Sequence, residues 1–136
     1  MSARSKARRR ALEFLFEAEA RGEDPLKVAI ARRENSEIVL NEYSLTILEG
    51  VMAHTERIDE ILASYVRDWT IERMPAVDRC ALRIDAWELL YNDDVPDAVA
   101  VAEAVNNVRE LSTDESPDFV NGVLGRIQSV KDTLVD

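Results

Sequence analysis

Apolar residues recur three and four positions apart along this chain and do not alternate with polar ones, the spacing of a helix face and not of a strand face. Only four Gly and four Pro interrupt it. Ala11, Leu12, Leu15, Phe16 and Ala18 define a first helix over about 4–21, stopped near Gly22. Asp24 followed by Pro25 forms an N-cap and first-turn pair that opens a short second helix to about residue 33. Ser36 can cap a third helix carrying Val39, Leu40, Tyr43, Ile47, Leu48, Val51 and Met52. Ile58, Ile61, Leu62, Tyr65 and Val66 continue its period, with a break expected around Gly50 and Thr55. From Pro75, the apolar positions Val77, Cys80, Ala81, Leu82, Ile84, Ala86, Trp87, Leu89 and Leu90 cover most of a helix circumference, which marks a central element. Asn92, Asp93, Asp94 and Pro96 form a turn. Val99, Val101, Ala102, Val105 and Val108 then give a helix ending near Leu111. Ser116 and Pro117 open the last, whose inner face is Phe119, Val120, Val123, Leu124, Ile127 and Val130. The expectation is an all-α chain of about seven helices with no strand, no internal repeat and no linker, a single domain over 1–136.

Length and charge sharpen this. A chain of 136 residues can bury roughly two thirds of its unfolded surface and needs no covalent staple. Cys80 stands alone, so no internal disulfide forms and no zinc site of paired cysteines exists. No stretch has signal-peptide or membrane-spanning character, which points to the cytoplasm and away from membranes. The formal charge is −10, yet Arg4, Lys6, Arg8, Arg9 and Arg10 give the first ten residues a local +5 and leave −15 for the rest. A polyanion would dock at that arm and be repelled elsewhere.

Catalytic constellations are missing from the pattern. His54 is the single histidine, with Val51 where a helical metal motif needs an acid, so it reads as a surface or helix-end residue. Asp93 and Asp94, beside Asn92 and Asp97, lack the spacing and glycine of a calcium loop and read as turn and cap residues. Cys80 lies in the most apolar helix and reads as an inert buried thiol. No metal or cofactor is expected. The first helix carries more information. Lys6, Arg8, Arg9 and Arg10 crowd its opening turns, where each cation is opposed by the helix dipole by about 0.3–1 kcal/mol. Bound phosphates would offset that repulsion, and arginine suits phosphate oxygens and base faces. Of Phe14 and Phe16, only one can share the Leu12–Leu15 face fully, leaving the other as a stacking surface for a single strand. Gly122 and Gly125, three apart inside a helix, suggest close approach of a neighbouring helix or a ligand.

Four ordered motifs carry a resemblance across nearly the whole chain. KARRRALEFLF (6–16) resembles the arginine-rich first helix of the NusB family, VDRCALRIDAWELL (77–90) its central helix, residues 95–111 its VPxxVAxxEAV segment, and FVNGVL (119–124) its C-terminal signature. The resemblance implies two small packed helical bundles, no catalysis, binding to the boxA RNA of ribosomal RNA leader transcripts, and pairing with NusE, the small-subunit ribosomal protein, within the transcription elongation complex. By position it implies RNA contacts from Arg4, Lys6, Arg8, Arg9 and Arg10. Phe16 stands where the family has a tyrosine near the RNA, and Ser116 and Phe119 line the adjoining surface. Asp78 and Arg79 are assigned to the NusE side.

The chain departs from the family pattern in carrying Pro117 and Asp118, where a basic residue often precedes the signature phenylalanine, and Gly125 in place of a common aspartate. That lowers the positive charge of this half of the RNA surface. Other readings of the residues stay open at this point: a protein-only helical adaptor, a NusB-like appendage of a ribosomal RNA methyltransferase, and a DNA-binding helical domain. A homodimer that buries the arm is a further form the chain can take.

Overall fold

A computed structural model describes residues 1–35, 39–67 and 69–134. Among them the chain forms six α-helices, α1 (Ala3–Arg21), α2 (Pro25–Glu34), α3 (Glu42–Tyr65), α4 (Ala76–Tyr91), α5 (Asp97–Leu111) and α6 (Ser116–Val130), closed by a 3-10 turn at Lys131–Thr133. The termini obey local chemistry. Ser2 Oγ accepts the Ser5 N–H at 3.0 Å to cap α1. Gly22, at φ 67°, closes it with a left-handed residue, and the Glu23 N–H reaches the Ala18 carbonyl at 2.9 Å. Asp24 Oδ1 accepts the Leu26 N–H at 2.8 Å, with Pro25 in the first turn of α2.

The third helix departs from expectation in two ways. Its N-cap is Asn41, whose Oδ1 accepts the Tyr43 N–H at 2.8 Å. Val39 and Leu40 precede the helix, and Val39 is fully exposed. The expected cap, Ser36, lies outside the described residues. The break expected near Gly50 and Thr55 does not occur, so six α-helices stand where about seven were expected. Thr55 Oγ1 donates back to the Val51 carbonyl at 2.6 Å, which satisfies the hydroxyl within the helix. Gly50 is there for space: a Cβ on it would stand 2.2 Å from Trp87 Nε1 and Cε2.

α4 is the axis of the molecule, with twelve of its sixteen residues buried. The helices α1, α2 and α3 pack together on one side of it, α5 and α6 on the other, and α4 touches α1, α3, α5 and α6. The two groups share one continuous core from Ala11 and Leu12 to Leu124 and Ile127. Four of the buried α4 residues are ionisable, namely Asp78, Arg79, Asp85 and Glu88. The glycines of α6 divide: a Cβ at Gly122 would meet Arg126 Nη1 at 3.1 Å, whereas Gly125 is exposed with nothing within 4 Å, so it serves no close packing here. Gly50→Ala is expected to lower stability by about 1–3 kcal/mol through overpacking against the Trp87 indole, despite alanine's better helix propensity. Thermal melts of the two proteins measure it, and an unchanged or higher Tm would contradict the packing assignment.

Candidate nucleic-acid interface

The arginine-rich segment lies on α1, whose inner face packs Ala7, Ala11, Leu12, Phe14, Leu15 and Ala18 into the core. With that face fixed, the basic side chains leave the helix in different directions. Lys6 is exposed and, among the described residues, has no ionic partner. Arg4 is exposed too, its guanidinium 4.4 Å from the centre of the Tyr43 ring. Arg9 is half-buried against α5, donating from Nε to Asn107 Oδ1 at 2.9 Å and from Nη2 to Glu110 Oε2 at 2.6 Å. Arg10 Nη1 pairs with Glu13 at 3.2 Å on the surface. Phe14 is buried and Phe16 is 43% exposed, so Phe16 is the aromatic left beside the cations.

Arg8 goes the other way. It is 2% exposed, and its Nε donates to both Glu88 oxygens at 2.9 Å while Nη1 sits 3.3 Å from Glu103. Burial opposes its charge, but Glu88, Asp85 and Glu103 together offset this and hold the guanidinium above its ordinary pKa. The same Glu88 accepts the Tyr43 hydroxyl, which also accepts from Asn92 Nδ2 at 3.0 Å. Burial and then Glu88 raise the Tyr43 pKa, so the phenol stays neutral and donates. Ser5 donates to Glu103. The N-terminal half of α1 is thus seated on two carboxylates, one from α4 and one from α5. A direct phosphate contact from Arg8, expected from its place in the motif, is not available to a side chain so enclosed.

The remaining expected residues fall at the junction of α4 and α6. Ser116 is fully buried, donating to Asp78 Oδ2 at 2.8 Å and accepting the Thr113 N–H at 3.2 Å. Asp78 is fully buried as well. Arg79 is 9% exposed, giving Nη1 to the Ile71 carbonyl at 2.8 Å and pairing with Glu19. Ser116 and Asp78 present no functional group on the surface, and Arg79 reaches only the floor of a groove beside Glu19 and Asp59. Phe119 is half-buried, edge-on to Trp69 with ring centres 4.8 Å apart, in an open groove that also includes Arg67, Arg126, Glu115 and Asp118. Sequence reasoning missed Trp69 and Tyr43. Trp69 stands outside every helix, and Tyr43 falls on an ordinary apolar position in the period of α3.

The side chains considered for catalysis are engaged otherwise. The Cys80 thiol is pushed up to about 12 by burial and then by Glu19, far from a thiolate at neutral pH. His54 lies within α3, not at its end, and stacks on Tyr91 with ring centres 3.9 Å apart. Among the described residues no helix is long and apolar enough to cross a membrane.

Comparisons with known proteins bear on these surfaces. The sequence profile described as the NusB family matches residues 5–129. The transcription antitermination protein NusB of Arthrobacter sp. (strain FB24) is 58% identical over 135 residues, covering 99% of each chain. The NusB of T. maritima is 29% identical with a TM-score of 0.83, covering 94% of this chain and 92% of that one. A crystal structure of antitermination factors NusB and NusE in complex with dsRNA is 28% identical with a TM-score of 0.82, over 93% of this chain and 96% of that one.

The seat under α1 contains one carboxyl that works against the fold. Both Asp85 oxygens are buried without a well-formed hydrogen bond. Burial, then the neighbouring Glu88 carboxyl, push Asp85 well above the usual carboxylate range. Arg8 opposes that shift, and Glu103 adds to it. As pH rises past the ordinary aspartate value of about 3.9, the unfolded chain releases this proton and the folded chain keeps it, so stability falls until folded Asp85 also ionises. Asp85→Asn keeps the neutral shape. Its Tm is expected to equal or exceed that of the natural protein at pH 7, with the natural protein gaining relative to the variant towards pH 5. Parallel Tm curves over pH 5–8 would show that Asp85 does not carry this dependence.

Proposed function

We infer that this chain, which belongs to the NusB family, is a transcription antitermination factor that binds RNA in company with NusE. Its RNA is the boxA element of ribosomal RNA leader transcripts, and it acts within the elongation complex in the cytoplasm. The observation that carries this reading is the set of cations on the outer side of α1 in a chain of formal charge −10. Lys6, Arg4, Arg9 and Arg10 are placed to neutralise backbone phosphates, Phe16 offers a ring for a base to stack on, and Phe119, in the separate groove beside Trp69, Arg67 and Arg126, offers a second ring. Arg8 contributes by holding the helix on Glu88 and Glu103, and Ser116 by joining α6 to α4.

The protein works by binding and not by catalysis. In support, the Cys80 thiol is enclosed and held protonated, and His54 is stacked against Tyr91 within α3. Asp78 and Arg79 serve the NusE side from within. Arg79 fixes the Ile71 and Met74 carbonyls, at 2.8 and 3.3 Å, and Asp78 fixes Ser116, so together they shape the end of α4 that NusE meets.

The test is fluorescence anisotropy of labelled boxA RNA, with and without NusE, comparing the natural protein with a Lys6→Ala, Arg9→Ala, Arg10→Ala variant that leaves the Arg8 seat intact. The variant is expected to bind at least about tenfold more weakly. Its log–log salt dependence should be shallower by about 0.7 for each phosphate that is no longer neutralised, or about 2 for three. Unchanged affinity and slope would exclude α1 as the RNA face, and no binding by the natural protein in either condition would move the function to a protein-only adaptor.

A further inference from the structure

Arg9, with Phe16 seven residues on, lies on the flank of α1 that meets α5. Lys6 and Arg10 lie on the opposite flank, where α1 runs beside the start of α3. There Lys6, Ala7, Arg10, Val39, Asn41 and Ser44 line an open groove of about 420 Å³. Among the described residues no carboxylate lines it. The grooves around Phe119, around Arg79 and Asp59, around Pro25 and around His54 each include at least one. In a molecule this acidic, a concave surface lined by two cations, one of them the unpaired Lys6 and the other shared with Glu13 at its edge, is where an anion meets comparatively little repulsion.

The rest of the groove suits the same ligand. Ser44 is fully buried and donates its hydroxyl to the Ala7 carbonyl at 2.8 Å, which ties α1 to α3 and sets the spacing of the walls. Asn41 uses Oδ1 to cap α3, leaving its amide nitrogen to donate. α3 is 24 residues long, and its N-terminal end adds positive potential at that point. Glu42 follows in the first turn but does not line the groove. Lys6 has no competing ion pair among the described residues, and the Arg10–Glu13 pair is exposed and easily exchanged.

We propose that this groove is a phosphate subsite for the RNA backbone, in which one phosphate sits between Lys6 and Arg10 and accepts a hydrogen bond from Asn41 Nδ2. The strand then crosses α1 from the Phe16 flank to the α3 flank and does not run along one side of it. This assignment rests on the RNA-binding reading and adds Asn41 to it.

Asn41→Asp tests it with little disturbance, because aspartate caps a helix as well as asparagine does while placing a negative charge in the groove. Asn41→Ser also keeps a cap and removes the amide donor without adding charge. In RNA anisotropy with NusE present, Asn41→Asp is expected to weaken binding about tenfold or more and Asn41→Ser by a smaller factor, with both melting as the natural protein does. If both variants bind like the natural protein, the groove is off the RNA path and the antitermination reading stands. If the natural protein itself fails to bind, both fall. A last arm follows the Asn41 side-chain amide by NMR: a shift with inorganic phosphate but not with RNA would make this a free-anion site and overturn the backbone assignment.

Discussion

The orientation of the cationic helix depends on the buried pair between Arg8 and Glu88. The first turns of α1 carry cations and no acid, so they meet the helix dipole, and the apolar face that packs α1 into the core lies mostly farther along, from Ala11 to Ala18. Glu88 anchors those turns by placing a carboxylate, fully enclosed, where Arg8 must enter. Removing either member of such a pair leaves an uncompensated buried charge, typically at a cost of about 3–5 kcal/mol. Because the interaction is directional, it sets the rotation of α1 as well as its attachment. Once Arg8 points inward, the 100° step per residue sends Arg9 towards α5 and Lys6 and Arg10 towards α3.

Tyr43 extends the same constraint to the surface. Its hydroxyl is held by Glu88 and Asn92, and its ring carries Arg4 on one side of the seat. A carboxylate in the core is therefore linked, through one phenol, to a guanidinium in solvent. Ser5 and Glu103 provide a second tie to α5, so the helix cannot rotate about the Arg8 contact alone.

Most of this fold could be read from the chain because helix periodicity and end chemistry are local. Gly22, Asp24, Pro75 and Pro117 place four helix boundaries within a residue or two. What could not be read depends on distant partners. Gly50 resembles a helix breaker until Trp87 is known to lie over it. Arg8 has the character of one more surface cation in a basic run, and only the enclosed Glu88, eighty positions away, shows otherwise. Asp78 and Arg79 have the composition of an exposed polar pair, yet Ser116 and Glu19 draw them inside. The Phe14 and Phe16 choice lay between these extremes, since the helix face admitted one ring and the neighbouring residues decided which.

Arg9 and Arg10 do not wait bare for a ligand, since Glu110 and Glu13 already occupy them. If a phosphodiester binds at these positions as proposed, its association is an exchange of one anion for another, with the resident acids as built-in competitors. An isolated anion gains little by such a swap, because it must displace an intramolecular rival that never diffuses away. A strand bearing several phosphates can replace several rivals at once. On the proposed RNA face, such an arrangement would favour a ligand bearing several phosphates over a single free anion.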